Sequence, residues 1–312
     1  MLLELLKEAA SLEAHLQLCV GQAPAFWRWG QLQVKEAAKL TREDLNRLLE
    51  QGRDWGLPGE GEKAVGIPGF GRCQVNLQFP WVLFRPLPSD GPPPMEKLNL
   101  PPGLAELVQL NQGLVLLGGQ RGSGLRTTLA SLLELLRQGP PRRILTVGRC
   151  HDFVQGHGRG LLGSCVRLSE ALLDSCDVVV LWLTDSASAQ AALEAAEEGR
   201  LVLALLRGLH APNLLDRLQT WLPAAAWSQR LGDALRAVYY QRLLASSQGP
   251  LPVCEFVNSE TSRQLLQQPR KIYPDCLEGQ SGCWSLLHSL QDWLDQQRVS
   301  PEEADLLVQS WT

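Results

Sequence analysis

The chain has 312 residues, of which 45% are hydrophobic and 20% are charged, so it is long enough for two domains with sizeable cores. Its formal net charge of −4 argues against a general binder of nucleic acid or of anionic membranes. The eight cysteines include no C-x-x-C pair, so the sequence indicates neither a zinc site nor a disulfide framework.

The first 85 residues are predicted to form a small α/β domain. A charged but leucine-rich start predicts an amphipathic helix, and alternating residues predict strands in 14–21 and 25–33. A helix is expected over 41–51, because Thr41 can cap it, Asp44 follows three residues later, and a leucine stripe comes next. Residues 71–85 have the pattern of a hairpin.

A proline-rich segment follows this first domain. Seven of the seventeen residues 86–102 are proline, so we predict an extended linker there, between a domain at 1–85 and another at 103–312. No apolar run in the chain approaches the roughly 20 residues that a transmembrane helix needs, so we expect no transmembrane segment.

The second domain has continuous apolar runs, which are typical of parallel strands covered by helices on both faces. The runs are 113–119, 143–147, 177–183 and 201–206, and the helical patterns between them are 126–138, 167–175 and 186–198. This alternation predicts an α/β nucleotide-binding core. We predict that residues 212–312 are mostly helical, with a last helix that starts near Ser300 and Pro301.

The first of these strands runs into a glycine-rich turn that has the layout of a phosphate-binding P-loop, G-x-x-x-x-G-K-[ST]. The turn reads Gly119-Gln120-Arg121-Gly122-Ser123-Gly124. Leu125 stands at the lysine position and Arg126 at the Ser/Thr position. An alternative is a one-residue bulge that places Arg126 at the phosphates and Thr127 on the metal, although the ungapped register that continues into Thr128 argues against it.

Several collinear segments together resemble the type IV pilus retraction, or twitching motility, ATPases of the secretion-motor superfamily. IPGFGRCQVN (67–76) is similar to the family's "IPGxGRFRVN" strand, and NQGLVLLGGQRGSG (111–124) to its strand and P-loop. The family's "ILTIEDPIEFVH" segment, its Walker B motif and its histidine box correspond, in this order, to RILTVGRCHDFVQ (143–155), DVVVLWLTD (177–185) and EEGRLVLALLRGLHAPNLLDRL (197–218). VYYQRLL (238–244) and TSRQLL (261–266) are similar to "VxAQRLL" and "AIRNLI".

The resemblance implies an α/β fold with an N-terminal PAS-like domain and a C-terminal RecA-like P-loop domain. It implies ATP or ADP as cofactor, a ring that is normally a hexamer, and a cytoplasmic place at the inner-membrane platform of a pilus machine. It also implies that Arg85, which ends the strand before the linker, reaches the nucleotide.

The same resemblance locates the catalytic positions, and these are degenerate in this chain. The catalytic glutamate falls at Gly148 and the Walker B glutamate at Leu183, and the two histidines of the histidine box fall at Arg200 and Arg207. With Leu125 and Arg126, this leaves no intact lysine, metal hydroxyl or general base, and no acid in the stretch Leu181–Thr184 before Asp185.

The leading hypothesis is therefore a pseudo-ATPase subunit that assembles alone or in a hetero-ring with an intact paralogue. The alternatives are an active ATP-driven motor and a nucleotide sensor that binds ATP or ADP without turnover. Nucleotide binding is expected to be weak or absent, and Mg²⁺ is not expected to be held. The predicted vestigial phosphate site comprises Arg85, Gly119, Gln120, Arg121, Gly122, Ser123, Gly124, Thr127, Thr128, Arg200 and Arg207.

Overall fold

The structure is a computed structural model of the chain. It describes residues 1–28, 31–88, 90–148, 153, 158–165, 173–223, 229–246, 249–261 and 282–309. The chain divides into two units, Met1–Gly91 and Pro92–Thr312, and the division falls inside the predicted linker.

The N-terminal unit is built on an antiparallel sheet. Its strands are β1 (His15–Cys19), β2 (Ala25–Arg28), β3 (Gln31–Val34), β4 (Gly61–Ile67), β5 (Gly71–Gln78) and β6 (Trp81–Pro86), and its helices are α1 (Leu2–Ser11) and α2 (Arg42–Gln51). The sheet order is β3-β2-β1-β6-β5-β4. The predicted hairpin is confirmed as β5 and β6, whereas β4 was missed because most of its residues are exposed and give little alternation.

Both predicted helices of this unit form for the expected reasons. The leucine stripe of α1 is buried in the same apolar cluster as Leu45 and Leu48 of α2. At the start of α2, Thr41 Oγ1 accepts from the Asp44 amide at 3.1 Å, and the Thr41 amide donates to Asp44 Oδ2 at 3.0 Å. This reciprocal capping box satisfies two amides that the helix itself cannot.

The C-terminal unit has a second sheet, flanked by helices. Its strands are β7 (Gly113–Gly119), β8 (Arg143–Val147), β9 (Leu161–Cys165), β10 (Val178–Trp182), β11 (Leu201–Leu206), β12 (Leu235–Ser246) and β13 (Gly249–Asn258). Its helices are α3 (Pro102–Glu106), α4 (Leu125–Gln138), α5 (Ser186–Glu197), α6 (Ala211–Trp221), α7 (Arg230–Ala234), α8 (Leu286–Asp295) and α9 (Pro301–Gln309). The order is β13-β12-β7-β11-β10-β8-β9, with all neighbouring pairs parallel except β12 and β13.

The centre of this sheet is buried on both faces, as continuous apolar strands predict. All seven residues of β7 are buried. Leu114 and Leu116 belong to one apolar cluster, and Val115 and Leu117 belong to the cluster on the other face, because successive side chains of a strand point to opposite sides. The mixed α/β fold class is therefore confirmed.

The prediction that residues 212–312 are mostly helical is wrong for 235–258. This stretch forms β12 and β13, and β12 also pairs with β7. Its Val238, Tyr239 and Tyr240 are residue types that favour strands, and the free edge of β7 gives them a ladder to join. The last helix is confirmed as α9, where Ser300 Oγ accepts from the Glu303 amide at 3.2 Å.

Most of the helix predicted at 167–175 lies outside the described residues. Within the part of the chain that the structure describes, no helix has the length and hydropathy needed to cross a bilayer.

Candidate phosphate-binding site

The glycine-rich loop joins the carboxyl end of β7 to the start of α4. Gly122 and Gly124 have left-handed φ angles of +79° and +78°, which glycine adopts at no steric cost. At Gly119, a Cβ atom would lie 2.8 Å from the Gln241 backbone oxygen as well as 2.3 Å from Ser123 Oγ, so no larger residue fits without a backbone shift. The backbone frame of a phosphate loop is therefore kept, and it leads into a helix N-terminus, which favours anions.

The residue at the lysine position belongs to the apolar core. Leu125 is 3% exposed and lies in the cluster that contains Leu129 and Leu133. The helix α4 begins at Leu125 with Gly124 as its N-cap, and the Thr128 amide donates to the Gly124 carbonyl at 3.1 Å. This is the ungapped register, and the bulge considered as an alternative is not observed.

A buried glutamine that the sequence reasoning missed holds the loop in place. Gln241 of β12 is 2% exposed, and its Nε2 donates to the Ser123 carbonyl at 2.7 Å. Its Oε1 accepts from Thr128 Oγ1 at 2.7 Å and from the Tyr239 hydroxyl at 2.5 Å. Thr128 is thus engaged with Gln241, and the loop is tied to the neighbouring strand. The available signal was a polar residue inside the apolar run VYYQRLL.

Arginines gather around the loop. Arg207 follows β11, its Nη1 donates to the Gln120 carbonyl at 2.9 Å, and its guanidinium carbon lies 4.5 Å from the centre of the Trp182 ring. Burial, and then the charges of Arg126 and Arg121, lower the pKa of Arg207 below its ordinary value. Among the described residues, neither Arg121 nor Arg207 forms a salt bridge. Arg207 therefore places a positive charge beside the loop, with its guanidinium packed on the ring of Trp182.

The structure does not bring Arg200 to this site, so that prediction is wrong. Arg200 precedes β11, and its carbonyl accepts from the amide of Gly113 at the start of β7. The loop is at the other end of these parallel strands, about 20 Å away at roughly 3.3 Å per residue. Arg200 instead binds the Leu173 carbonyl at 2.9 Å and pairs with Asp174 and Glu198.

Arg85 lies on β6 of the N-terminal unit, directly opposite Gln74 of β5 in the antiparallel pair of strands. Its expected contact with the nucleotide stays a prediction.

The two positions at which the resemblance predicts glutamates, Gly148 and Leu183, carry no acid. Gly148 follows β8 with a φ of +69° and open space where a side chain would start. Leu183 follows β10 and is buried in the core. The neighbouring Arg149 lies outside the described residues.

Asp185, the acid that follows the carboxyl end of β10, caps a helix. Its Oδ1 accepts from the Ser188 amide at 2.8 Å at the start of α5. Hydrogen bonds from Ser188 hold the pKa of Asp185 below its ordinary value. Among the described residues, no group of three or more His, Cys, Asp or Glu side chains could hold a metal ion.

A cavity of about 410 Å³ borders the loop. Gly124, Thr127 and Thr128 line it on the loop side, and Trp293 and Arg298 line it on the side of the C-terminal helices. Its volume lies in the range of small-molecule sites.

Comparison with known proteins identifies the family, although no protein-family model matches the chain. The uncharacterized protein YggR of Escherichia coli is 35% identical over 260 residues, which are 75% of this chain and 78% of YggR. The twitching motility protein of Neisseria gonorrhoeae is 28% identical over 262 residues, 76% of this chain and 70% of the relative.

A solved structure agrees with these relatives. The pilus retraction motor PilT with bound ADP has a TM-score of 0.76 and 25% identity, over 97% of this chain and 95% of that one. The match extends through both units, and the motif segments quoted above are collinear with the family's. The chain therefore belongs to the family of type IV pilus retraction ATPases.

Proposed function

We propose that this chain is a family member that does not hydrolyse ATP, and that it acts through assembly and partner binding in a type IV pilus or related secretion machine. The observation that carries the proposal is Leu125, an apolar core residue where hydrolysis needs a cation at the β- and γ-phosphates. An isobutyl group cannot neutralise the charge that develops on the transferred phosphoryl group.

The other positions support the same conclusion independently. Gly148 supplies no base to polarise water, Leu183 supplies no acid, and Arg126 has no lone pair for a metal. These groups lie on separate segments of the chain, so one local rearrangement does not restore them. In-line hydrolysis with Mg²⁺ depends on all of them being in place before the reaction.

The retained scaffold supports a role in assembly. The glycine loop, the Gln241 network and both units are present although the residues expected for catalysis are not. We propose that the subunit forms a homo-oligomer, expected to be a hexamer, or a mixed ring with an intact paralogue. Its place would be the cytoplasmic side of the inner-membrane pilus platform.

Two measurements on the purified full chain test this proposal. Phosphate release in Mg²⁺-ATP is expected at the rate of a buffer blank, whereas an intact retraction ATPase in the same assay releases phosphate. Mass photometry at about micromolar concentration is expected to give an oligomer, either alone or mixed with the intact paralogue. A strict monomer under both conditions would contradict the assembly role.

The alternative functions correspond to distinct results. Turnover that disappears in Arg126→Ala would favour the active motor. Nucleotide binding without turnover would favour the sensor.

A further inference from the structure

We propose that a second copy of this chain pairs with the open edge of β3, so that the two N-terminal sheets join across a two-fold axis at Gln33. This inference goes beyond the loss of ATP turnover and names a contact surface in the N-terminal unit.

The first support is the open edge itself. The strand β3 ends the order β3-β2-β1-β6-β5-β4, and within the described residues only β2 pairs with it. All four residues of β3 are exposed. Edge strands are normally protected by a lysine, a proline or a bulge, and β3 contains none of these. The strand is therefore open to the addition of another strand.

The second support is the set of backbone groups that face this edge. The Lys35 amide donates to the Pro24 carbonyl at 2.9 Å, and the register with β2 continues through β3 without a shift. Hydrogen-bonded pairs alternate along an antiparallel ladder, so Gln33 bonds to β2, and the N–H and C=O groups of Leu32 and Val34 point to the open edge. Outside that ladder, neither Leu32 nor Val34 forms a backbone hydrogen bond in the described part of the chain.

These outward groups are self-complementary. When two copies of β3 run antiparallel about Gln33, Leu32 of each copy lies opposite Val34 of the other. Each of these pairs then exchanges both N–H···O bonds. A register moved by two residues would leave only one hydrogen-bonded pair within the strand. The strand thus supplies its own partner sequence, which favours a second copy over an unrelated strand.

The third support is an apolar surface that the pairing would make continuous. Trp27 of β2 lies opposite Leu32, so Trp27, Leu32 and Val34 share one face, and they are 42%, 51% and 57% exposed. The other face of the sheet packs on α1 and α2, where Phe26 is buried. Across the axis, Leu32 and Val34 would meet their counterparts on the exposed face, and burial of apolar groups favours such a contact.

The flanking charges permit the contact. Lys35, the first cation after β3, pairs with Glu8 of α1 and would lie opposite Gln31 of the second copy. This register therefore opposes no like charges along the strand. A two-fold contact is isologous and closes on itself, so it differs from the head-to-tail contacts that build a ring.

A cysteine placed on the axis tests the register in the full chain. Across a two-fold axis at Gln33, the two copies of this residue form a non-hydrogen-bonded pair with Cα atoms about 4.5 Å apart, which is within the range of a disulfide. Gln33→Cys is therefore expected to give a covalent dimer under mild oxidation, seen as a reducible band in denaturing gels. The wild type, run beside it, reports the background from the native cysteines.

Gln31→Cys is the matched control, because it is the same substitution on the same strand and face. The two copies of Gln31 would be offset by about 13 Å, at roughly 3.3 Å per residue, which is too far for a disulfide. A dimer of Gln33→Cys without a dimer of Gln31→Cys supports the proposal. No dimer of Gln33→Cys, or equal dimers of both variants, would overturn it. Cross-linking of Gln33→Cys only to another protein in a cell extract would overturn it as well.

Sedimentation of the full chain gives a second, independent measurement. Val34→Lys puts a charge opposite Leu32 of the second copy, so the protein concentration needed for the two-fold step should rise about tenfold or more. Leu287→Lys changes an exposed leucine of the C-terminal unit and should sediment as the wild type does. Association that is unaffected by Val34→Lys would overturn the β3 contact and leave the assembly role proposed above in place.

Discussion

Replacing Leu125 with lysine restores the family's P-loop residue in a position that this fold has made part of its core. Leu125 is 3% exposed among Leu129 and Leu133, and full burial of a leucine side chain is worth about 1.5–3 kcal/mol. A lysine would keep part of these contacts through its stem, but its ammonium must reach the loop opening or lose charge. We expect Leu125→Lys to lower the free energy of unfolding by about 2–3 kcal/mol.

Urea unfolding measures this loss, and a phosphate-release assay of the same variant should give the rate of the wild type. Leu125→Met is the control, because a swap that conserves volume should cost less than about 1.5 kcal/mol. A Leu125→Lys protein that is as stable as the wild type would show that the side chain does not anchor the core. Robust hydrolysis by this variant would show that the catalytic acids lie elsewhere.

Two further predictions concern Glu255 and Gly124. Burial raises the pKa of Glu255 to about 8, and the hydrogen bond that its carboxylate accepts from the Ala211 amide opposes this shift. Because the pKa is higher in the folded state, the stability that the protonated form supplies is complete below about pH 4.5 and is lost as the pH rises through about 8. Glu255→Gln should remove a few kcal/mol of this pH dependence in urea unfolding, and an unchanged slope would place its origin elsewhere. Gly124→Ala should lower the free energy of unfolding by about 1–2 kcal/mol because of the left-handed φ of Gly124. A further loss is expected because the new Cβ would lie 2.8 Å from Gln241 Nε2. The control Gly122→Ala has the same φ sign and open space, so equal losses in thermal unfolding would argue against the clash.

The sequence predicted the elements whose signals are local. The apolar runs became β7, β8, β10 and β11, because a strand buried on both faces needs apolar residues at every position. The start of α2 was also predicted correctly, since a capping box lies within four consecutive residues.

Elements that depend on distant partners were not predicted. The pairing of β12 with β7 joins segments more than a hundred residues apart, and the residues of β12 reveal only a preference for strands. The role of Gln241 was hidden for the same reason, because its partners Ser123 and Thr128 are on another segment.

The misplacement of Arg200 has a different origin. Arg200 and Arg207 were both predicted in the phosphate site because they occupy one sequence motif. Strand β11 lies between them, so the two residues are at opposite ends of that strand. The predicted strand at 201–206 already contained this information, since a strand advances about 3.3 Å per residue.

A single-turnover experiment tests the non-hydrolysing role most directly. Assembled protein in excess over radiolabelled ATP, with Mg²⁺, reports even one hydrolysis event per site and does not depend on product release. If the chain does not hydrolyse ATP, the labelled phosphate remains in ATP at the level of a protein-free control. Phosphate release above that control would contradict the non-hydrolysing role, and its loss in Arg126→Ala would assign the active motor.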